Sequence, residues 1–240
     1  MKYINGLLES NILKSRNGIY VDNAENRRKH RVGQRYGHAA RKEELVNTEI
    51  SSYVYKVTEN VSEFGKKGTE IAREVGCRVT SVNIKSYDSI YRKIQGNGSK
   101  VTSVMDIVRN TFITTDEKID EVLKQVYKKF DVIRDKIQTP DKYSGYSGRL
   151  LNIRFSNGTV GEIQINTPLM IYAKEKESLA RKLLGDEIYN YIQAHSKGIP
   201  GGRGHELYEK MRVIDPFSEE FLQLQEESVR YYNQVRNIKL

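Results

Sequence analysis

The chain has 240 residues and one cysteine, Cys77, which excludes a disulfide framework and a cysteine-rich zinc site and favours a reducing compartment. Its 40 lysines and arginines outnumber its 31 acidic residues, and the resulting net charge of +9 favours nucleic acids or nucleotides as partners. The sequence has no apolar run of membrane-spanning length and no secretory signal at its start, so we expect no membrane partner and action in the cytoplasm, including that of a target cell.

The composition of residues 1–42 predicts a basic N-terminal arm. They are polar and show neither helical nor strand periodicity. Within this segment a group of cations occurs with no intervening acid: Arg27, Arg28, Lys29, Arg31, Arg35, Arg41 and Lys42. The group is either a solvated face or a patch that tracks RNA phosphates, with Arg27, Arg28, Lys29 and Arg31 as the RNA contacts in the second case.

From residue 43 to 240 the pattern predicts one domain. Apolar residues recur at helical intervals from about residue 43 to 75, and Gly65 and Gly68 in the middle favour two helices over one. The next expected elements, in chain order, are a short helix over 88–94, a strand over 106–114 with Ile107, Phe112 and Ile113 in the core, a helix over 116–130 capped by Thr115, and a strand over 132–137.

The second half predicts a hairpin followed by helices. Strands over 148–155 and 160–166 flank Asn157-Gly158, a strong hairpin signal. Helices are expected from Pro168 to about 184, over 186–194 and over 218–235. Residues 201–204 are glycine-rich, but the strand and Lys-Ser/Thr of a phosphate loop are missing, so we interpret them as a flexible helix connection. Together these elements predict an α+β fold with a mixed central β-sheet of about five strands flanked by helices.

The strand over 160–166 carries a candidate catalytic acid. Because strand side chains alternate, Ile163 and Ile165 fall on one face while Glu162 and Gln164 fall on the other, which we expect to be exposed. Upstream, Tyr146 follows Gly145 in a turn that can present its ring to a planar ligand.

A second candidate group is basic. Lys85, Ser89 and Lys93 are spaced by four, so on a helix they share one face and can line a phosphate chain, with Arg92 beside them. The same spacing is also typical of a solvated stripe.

In this order the pieces resemble the synthetase domain of the RelA/SpoT family, the alarmone pyrophosphokinases. Those proteins carry a basic helix, a strand with a metal-binding Asp, a Gly-Tyr loop and a Glu-Val/Ile-Gln-Ile-Arg-Thr strand. This chain has Lys85 to Lys93, then Asp106, then Gly145-Tyr146, and finally Glu162 to Thr167. The resemblance covers about residues 80–185 and implies a nucleotidyltransferase-like synthetase fold.

The resemblance also implies roles for individual residues. Asp106 is implied to be a Mg²⁺ ligand, and Glu162 to share the metal or take the proton from the acceptor hydroxyl. The remaining implied roles are ATP binding by Lys85, Ser89, Arg92 and Lys93, and acceptor binding by Tyr146, which stacks on the base, together with Lys142, Gln164 and Asn166. Tyr143 is a competing stacker.

Some positions depart from the family pattern. Asn83 and Asn166 stand where the family has arginines, and residues 148–150 lack the Ser-x-His that follows Gly-Tyr. The resemblance therefore implies transfer of pyrophosphate from ATP but leaves the acceptor open among guanine nucleotides, adenine nucleotides and the 3′ end of tRNA. We expect a toxin-type or phage-associated enzyme with an antitoxin or immunity protein, and keep as an alternative a catalytically degenerate module that binds RNA or protein.

Overall fold

The structure is a computed structural model that describes residues 45–97, 100–138 and 140–239. Its contacts divide the chain into two units, Met1–Thr48 and Glu49–Leu240, and only residues 45–48 of the first are described. The basic arm and its predicted boundary after residue 42 lie outside the described residues and stay predictions. Within the described ranges, no helix is both long and apolar enough to cross a bilayer.

Helices precede and follow the sheet, as the sequence predicts. In chain order they are α1 (45–58), α2 (Val61–Val75), α3 (Tyr87–Asn97), α4 (Ile119–Lys129), α5 (Pro168–Lys174), α6 (Glu177–Leu184), α7 (Asp186–His195), α8 (Arg203–Met211) and α9 (Glu219–Arg236). Short 3₁₀ turns lie at Val101–Ser103 and Asp116–Lys118.

The six-stranded sheet is mixed, which confirms the α+β prediction. Its strands are β1 (Arg78–Val79), β2 (Asn83–Ile84), β3 (Val108–Ile113), β4 (Asp131–Gln138), β5 (Gly148–Arg154) and β6 (Val160–Asn166). The order is β1-β3-β6-β5-β4, with β2 also paired to β3. Only the β3–β6 pairing is parallel among the described strand pairs. The predicted hairpin is present as β5 and β6, with Gly158 in the left-handed conformation at φ 79°.

The back face of the sheet, which carries Phe112, Leu151, Ile153, Ile163 and Ile165, is fully buried. The amphipathic helices α2 and α4 contribute buried residues on this side, and the Phe64 ring of α2 makes edge contacts with Phe130 and Phe155. A separate apolar cluster contains residues of all the helices from α5 through α9. The opposite face of the sheet is therefore the one available for chemistry.

The prediction of two helices rather than one is confirmed, but they separate at residues 59–60, where the Asn60 amide donates to the Val57 carbonyl, and Gly65 and Gly68 lie inside α2. Two other local predictions are wrong. Thr115 makes no capping bond to the backbone, because its side chain bonds Glu117 instead. The helix predicted to run from Pro168 to 184 breaks at Glu175, which adopts an extended conformation.

The glycine-rich segment at 201–204 is also more ordered than a flexible connection. Gly202 adopts φ 78° as the N-cap of α8, and Gly204 lies in the first turn of that helix. A Cβ at Gly204 would lie 2.5 Å from Cζ of Tyr232, so this glycine allows α8 and α9 to pack closely.

Candidate active site

The front face of the sheet, opposite the buried back face, carries a row of polar side chains on four adjacent strands. Arg109 of β3 lies opposite Glu162 of β6, Glu162 lies opposite Asn152 of β5, and Asn152 lies opposite Arg134 of β4. Residues directly opposite each other share a face of the sheet. The row therefore places a carboxylate and an amide between two guanidinium groups.

A β-bulge brings Arg134 into this row. The register shifts between Val132, which lies opposite Ile153, and Arg134, which lies opposite Asn152, so Ile133 is the extra residue. Bulges re-aim side chains in this way and are frequent next to active sites. Lys136 follows on the same face, opposite Leu150. Sequence reasoning missed both cations, although their spacing by two in a predicted strand was a usable signal.

A cavity of about 330 Å³, here called the carboxylate cavity, opens over this row. It combines two acids with three cations and one amide on a partly apolar wall. Its lining consists of Lys93, Ser103, Met105, Asp106, Arg134, Lys136, Leu150, Asn152 and Glu162. Both acids predicted to be catalytic are thus brought together with Lys93.

Asp106 lies in the turn just before β3 and is held by two lysines. Nζ of Lys85 lies 2.7 Å from Oδ2, and Nζ of Lys93 lies 2.8 Å from Oδ1. Burial raises the pKa of Asp106, but the hydrogen bonds and charges of the two lysines outweigh it and hold that pKa below its ordinary value. Asp106 is therefore an anion in the folded chain at neutral pH.

The predicted helical face of Lys85, Ser89 and Lys93 is wrong in its geometry. Lys85 follows β2 and donates its backbone N–H to the Ile107 carbonyl, whereas α3 begins only at Tyr87. Pairing of β2 with β3 keeps the chain extended there, so Lys85 and Lys93 approach Asp106 from different elements. Ser89 Oγ instead contacts Ser86 Oγ at 2.8 Å and exposed Arg92 Nη2 at 3.4 Å.

Glu162 is 7% exposed, so the expectation of an exposed sheet face is wrong for this residue. It lies on β6 between two adjacent strands, with Arg109 of β3 and Asn152 of β5 directly opposite. Burial raises the pKa of Glu162, a hydrogen bond from Nε2 of Gln164 at 2.7 Å lowers it, and the charge of Asp106 raises it again. The net pKa lies above its ordinary value, which suits a carboxylate that accepts a proton during a reaction.

A second cavity, here called the aromatic cavity, has a volume of about 540 Å³ and lies next to the first. Gln164 lines it and connects it to Glu162, and Lys174 contacts the Gln164 Oε1 at 3.4 Å. The other lining residues come from the Tyr146 loop, β3, α8 and α9: Arg109, Asp141, Tyr143, Ser144, Tyr146, Gly204, His205, Tyr208, Met211, Arg212, Phe221, Ser228 and Tyr232. Sequence reasoning did not include the helical wall.

Tyr146 lines the aromatic cavity but is held on several sides. Its ring meets Tyr232 edge-on at 5.8 Å between centroids, Nζ of Lys174 lies 5.6 Å from its centroid, and its hydroxyl donates to Oδ1 of Asn166. Burial raises the pKa of the phenol. Asn166 is 1% exposed, so it supports the Tyr146 ring from below the cavity surface.

Helix α9 fixes the loop that carries Tyr146. The hydroxyl of Ser228 donates to the Ser144 carbonyl at 2.7 Å, and Nη2 of Arg236 donates to the Gly145 carbonyl at 2.5 Å. These two anchors come from 84 and 91 residues downstream and were not detectable from local patterns. Lys142, in contrast, is exposed, with Nζ 4.9 Å from the Tyr143 centroid.

The carboxylate cavity has suitable donors for Mg²⁺. Asp106 and Glu162 offer hard carboxylate oxygens, and Mg²⁺ commonly takes one or two carboxylates and fills its other positions with water and phosphate oxygens. The described residues contain no group of three or more His, Cys, Asp or Glu that could form an all-protein cage. The donor set therefore fits a metal shared with a phosphate ligand.

Comparison with known proteins identifies the family. No protein-family model matches the chain. It is 38% identical over 167 residues to the (p)ppApp synthetase toxin Tas1 of Pseudomonas aeruginosa (strain UCBPP-PA14), a match that covers 69% of this chain and 38% of that protein's length.

Two solved structures extend the comparison. The type VI effector Tas1, in complex with its immunity protein, is similar with a TM-score of 0.62 and 34% identity over 80% of this chain and 95% of that one. Small alarmone synthetase 1 from Bacillus subtilis shares the fold, with a TM-score of 0.50 and 19% identity over 78% of this chain and 92% of that one. The chain therefore belongs to the RelA/SpoT-type alarmone synthetase family.

Proposed function

We propose that this chain is a toxic pyrophosphokinase that transfers the β,γ-diphosphate of ATP to the 3′-hydroxyl of an adenine nucleotide. The observation that carries the proposal is the carboxylate cavity, where half-buried Asp106 and buried Glu162 lie among Lys93, Arg134 and Lys136. The choice of adenine is supported by the 38% identity to a toxin named as a (p)ppApp synthetase.

The chemistry requires an attacking oxygen, a leaving group and a proton acceptor. The 3′-oxygen of the acceptor attacks the β-phosphorus of ATP, the bond from that phosphorus to the α,β-bridging oxygen breaks, and AMP leaves. Glu162 takes the proton of the 3′-hydroxyl. Asp106 and Glu162 would hold Mg²⁺, which when bound neutralises phosphate charge in such reactions.

The cations of the cavity would stabilise the phosphate chain. Lys93, Arg134 and Lys136 line the cavity, and Lys85 reaches its edge through Asp106. Fixed cations around a transferred phosphoryl group stabilise the charge that develops during transfer. This cluster supports phosphate binding from two different secondary-structure elements, α3 and β4.

The aromatic cavity is the proposed acceptor site. Its Tyr146 ring is fixed in place, and Gln164 reaches from this cavity to the proposed base Glu162. A base stacked there would bring its ribose toward Glu162. We propose a free nucleotide rather than a tRNA 3′ end as the acceptor, because the relative at 38% identity is named as a (p)ppApp synthetase.

We extend the proposal to the partner and the place of action. The solved Tas1 structure contains its immunity protein. A toxin that consumes ATP in this way requires a neutralising partner in the cell that makes it, and we propose an immunity protein for this chain. Its site of action would be the cytoplasm of a target cell, where ATP and adenine nucleotides are found.

The direct test is acceptor selection. The full chain is incubated with Mg²⁺ and γ-³²P-labelled ATP, together with separate pools of AMP, ADP, ATP, GDP, GTP and bulk tRNA. Label is expected at the 3′ position of the adenine nucleotides. Label in guanine nucleotides or tRNA alone would overturn the proposed acceptor, and label in no pool would favour a degenerate binding module.

A further inference from the structure

Asn152 is an unusual residue in the carboxylate cavity. It is 1% exposed, and among the described residues neither Oδ1 nor Nδ2 has a hydrogen-bond partner. A buried amide without partners costs free energy, and native proteins seldom leave such groups unsatisfied. Both atoms nevertheless belong to a side chain that lines the cavity.

The position of Asn152 is set by the sheet. It lies in the middle of β5, between Arg134 of β4 and Glu162 of β6, and paired strands hold it on both sides. Its neighbours Leu151 and Ile153 are buried on the back face. The amide therefore cannot turn to solvent without breaking the central sheet.

We infer that Asn152 is a phosphate-contacting residue, with its Nδ2–H group donating to an oxygen of the polyphosphate of ATP. This inference rests on the function proposed above. The cations Lys93, Arg134 and Lys136 line the same cavity and favour an anionic ligand there. An amide donor adds a directed hydrogen bond to that anion, which a lysine provides with less geometric definition.

A ligand-binding role of Asn152 and a structural role differ in their effect on the stability of the free chain. An Asn retained for packing contributes to the stability of the free chain, whereas an Asn retained for a ligand leaves the free chain with an unpaired buried amide. Replacing the latter with an apolar residue of similar shape is neutral or stabilising for the fold. The two roles therefore predict opposite changes in melting temperature.

Asn110 offers a matched control. It is also 1% exposed with both amide atoms unpartnered among the described residues. It lies on β3, but its side chain points to the back face, where Nδ2 is 2.8 Å from the place of a Cβ on Gly68 in α2. Asn110→Leu thus makes the same chemical change away from the cavity.

The experiment measures binding of α,β-methylene-ATP by calorimetry, with and without Mg²⁺, and thermal melting of the free full chain. Asn152→Leu should weaken binding roughly 10- to 100-fold, since a hydrogen bond to a charged group is lost. The melting temperature of this variant should stay the same or rise. Asn152→Asp should bind more weakly still, because a carboxylate repels phosphate, and Asn110→Leu should bind like the wild type.

Two results would overturn the inference. Wild-type affinity in Asn152→Leu with a lower melting temperature would make Asn152 a structural residue. Tighter binding by Asn152→Asp in the presence of Mg²⁺ would make position 152 a cation site. Failure of the proposed function would be recognised separately, as a wild-type chain that binds the analogue but labels no acceptor.

Discussion

Single side chains connect the two cavities, which we propose to bind the acceptor and ATP separately. Gln164 donates to Glu162 on one side and contacts Lys174 on the other, and Lys174 in turn lies against the Tyr146 ring. Three contacts thus connect the Tyr146 ring of the proposed acceptor site to the proposed catalytic acid Glu162. Lys85 and Lys93, which we propose to bind ATP, lie instead around Asp106.

Tyr146→Ala tests this division at the acceptor. Loss of a stacking ring should raise the acceptor KM by roughly 10- to 100-fold, since base stacking on an aromatic side chain contributes about 1 to 3 kcal/mol. Tyr146→Phe, which removes only the hydroxyl that donates to Asn166, should have a smaller effect. Steady-state kinetics with each substrate varied in turn would check this, and a lower affinity for ATP with unchanged acceptor use would show that the loop has the other role.

At the scale of elements, the site depends on contacts between segments far apart in the chain. The alternation of β6 and the order of the motifs were enough to predict that Glu162, Asp106 and Lys93 meet in one site. The bulge at Ile133, the break before α3 and the anchoring of the Tyr146 loop by α9 were not predictable. Each depends on strand register or on tertiary hydrogen bonds, which leave no local periodicity in the sequence.

Ser228→Ala tests the anchoring by α9. Ser228 is 1% exposed, and its loss leaves the Ser144 carbonyl without this donor, which should cost about 1 kcal/mol and loosen the acceptor loop. The acceptor KM should rise several-fold while binding of the ATP analogue is unchanged. Gln223→Ala, at an exposed position of the same helix, is the matched control. Unchanged acceptor kinetics in Ser228→Ala would show that this hydrogen bond does not position the Tyr146 loop.

Asp135→Asn tests how the edge strand β4 is held. The Asp135 carboxylate accepts from Nε of Arg149 at 2.7 Å and from the Tyr127 hydroxyl at 2.8 Å. The hydrogen bonds of Arg149 hold the pKa of Asp135 below its ordinary value. The resulting stabilisation is complete above the unfolded-state pKa of about 3.9 and is lost as the pH falls through the lower folded-state pKa.

The free energy of unfolding should therefore be about 1 kcal/mol lower in Asp135→Asn than in the wild type near pH 7. This difference should shrink as the pH falls below about 4. Urea unfolding at both pH values measures it. Asp131, which lies on the same strand as Asp135, forms a more exposed pair with Arg154 at 4.0 Å. Asp131→Asn should therefore change the free energy of unfolding little. A constant difference at all pH values would assign the effect of Asp135 to packing.

At the scale of the whole molecule, the chain carries a net positive charge, whereas the proposed catalytic pair is acidic. The net charge of +9 favours polyanions in general, and the cavities select among them by shape and contacts. The fold class and the identity of the two acids were predictable from the sequence because their motifs are local. The aromatic cavity, which is the proposed acceptor site, was not predictable, because its wall combines β3, the Tyr146 loop, α8 and α9.

The basic arm contributes to this charge, and its role is testable by charge reversal. Changing Arg27, Arg28 and Arg31 to Glu in the full chain should abolish tRNA binding and flatten its dependence on salt. For the wild type, the slope of the logarithm of the binding constant against the logarithm of the salt concentration should be about −0.7 to −0.9 per phosphate contacted. Transfer to free nucleotides should be unchanged. Filter binding over a range of salt concentrations measures tRNA binding by the wild type and by the variant. An unaltered slope in the variant would show that the arm is a solvated face.

If the carboxylate cavity is the site of diphosphate transfer, as proposed, the reaction needs both of its acids. The most direct measurement is transfer of label from γ-³²P-ATP to AMP by the wild type, Asp106→Asn and Glu162→Gln, with folding checked by thermal melting. Asp88→Asn is the control, since Asp88 is an exposed acid in the first turn of α3. We expect each cavity variant to lose roughly 100-fold or more of the rate while remaining folded, and the control to keep it. Near wild-type transfer by either folded cavity variant would show that the carboxylate cavity is not the site of transfer.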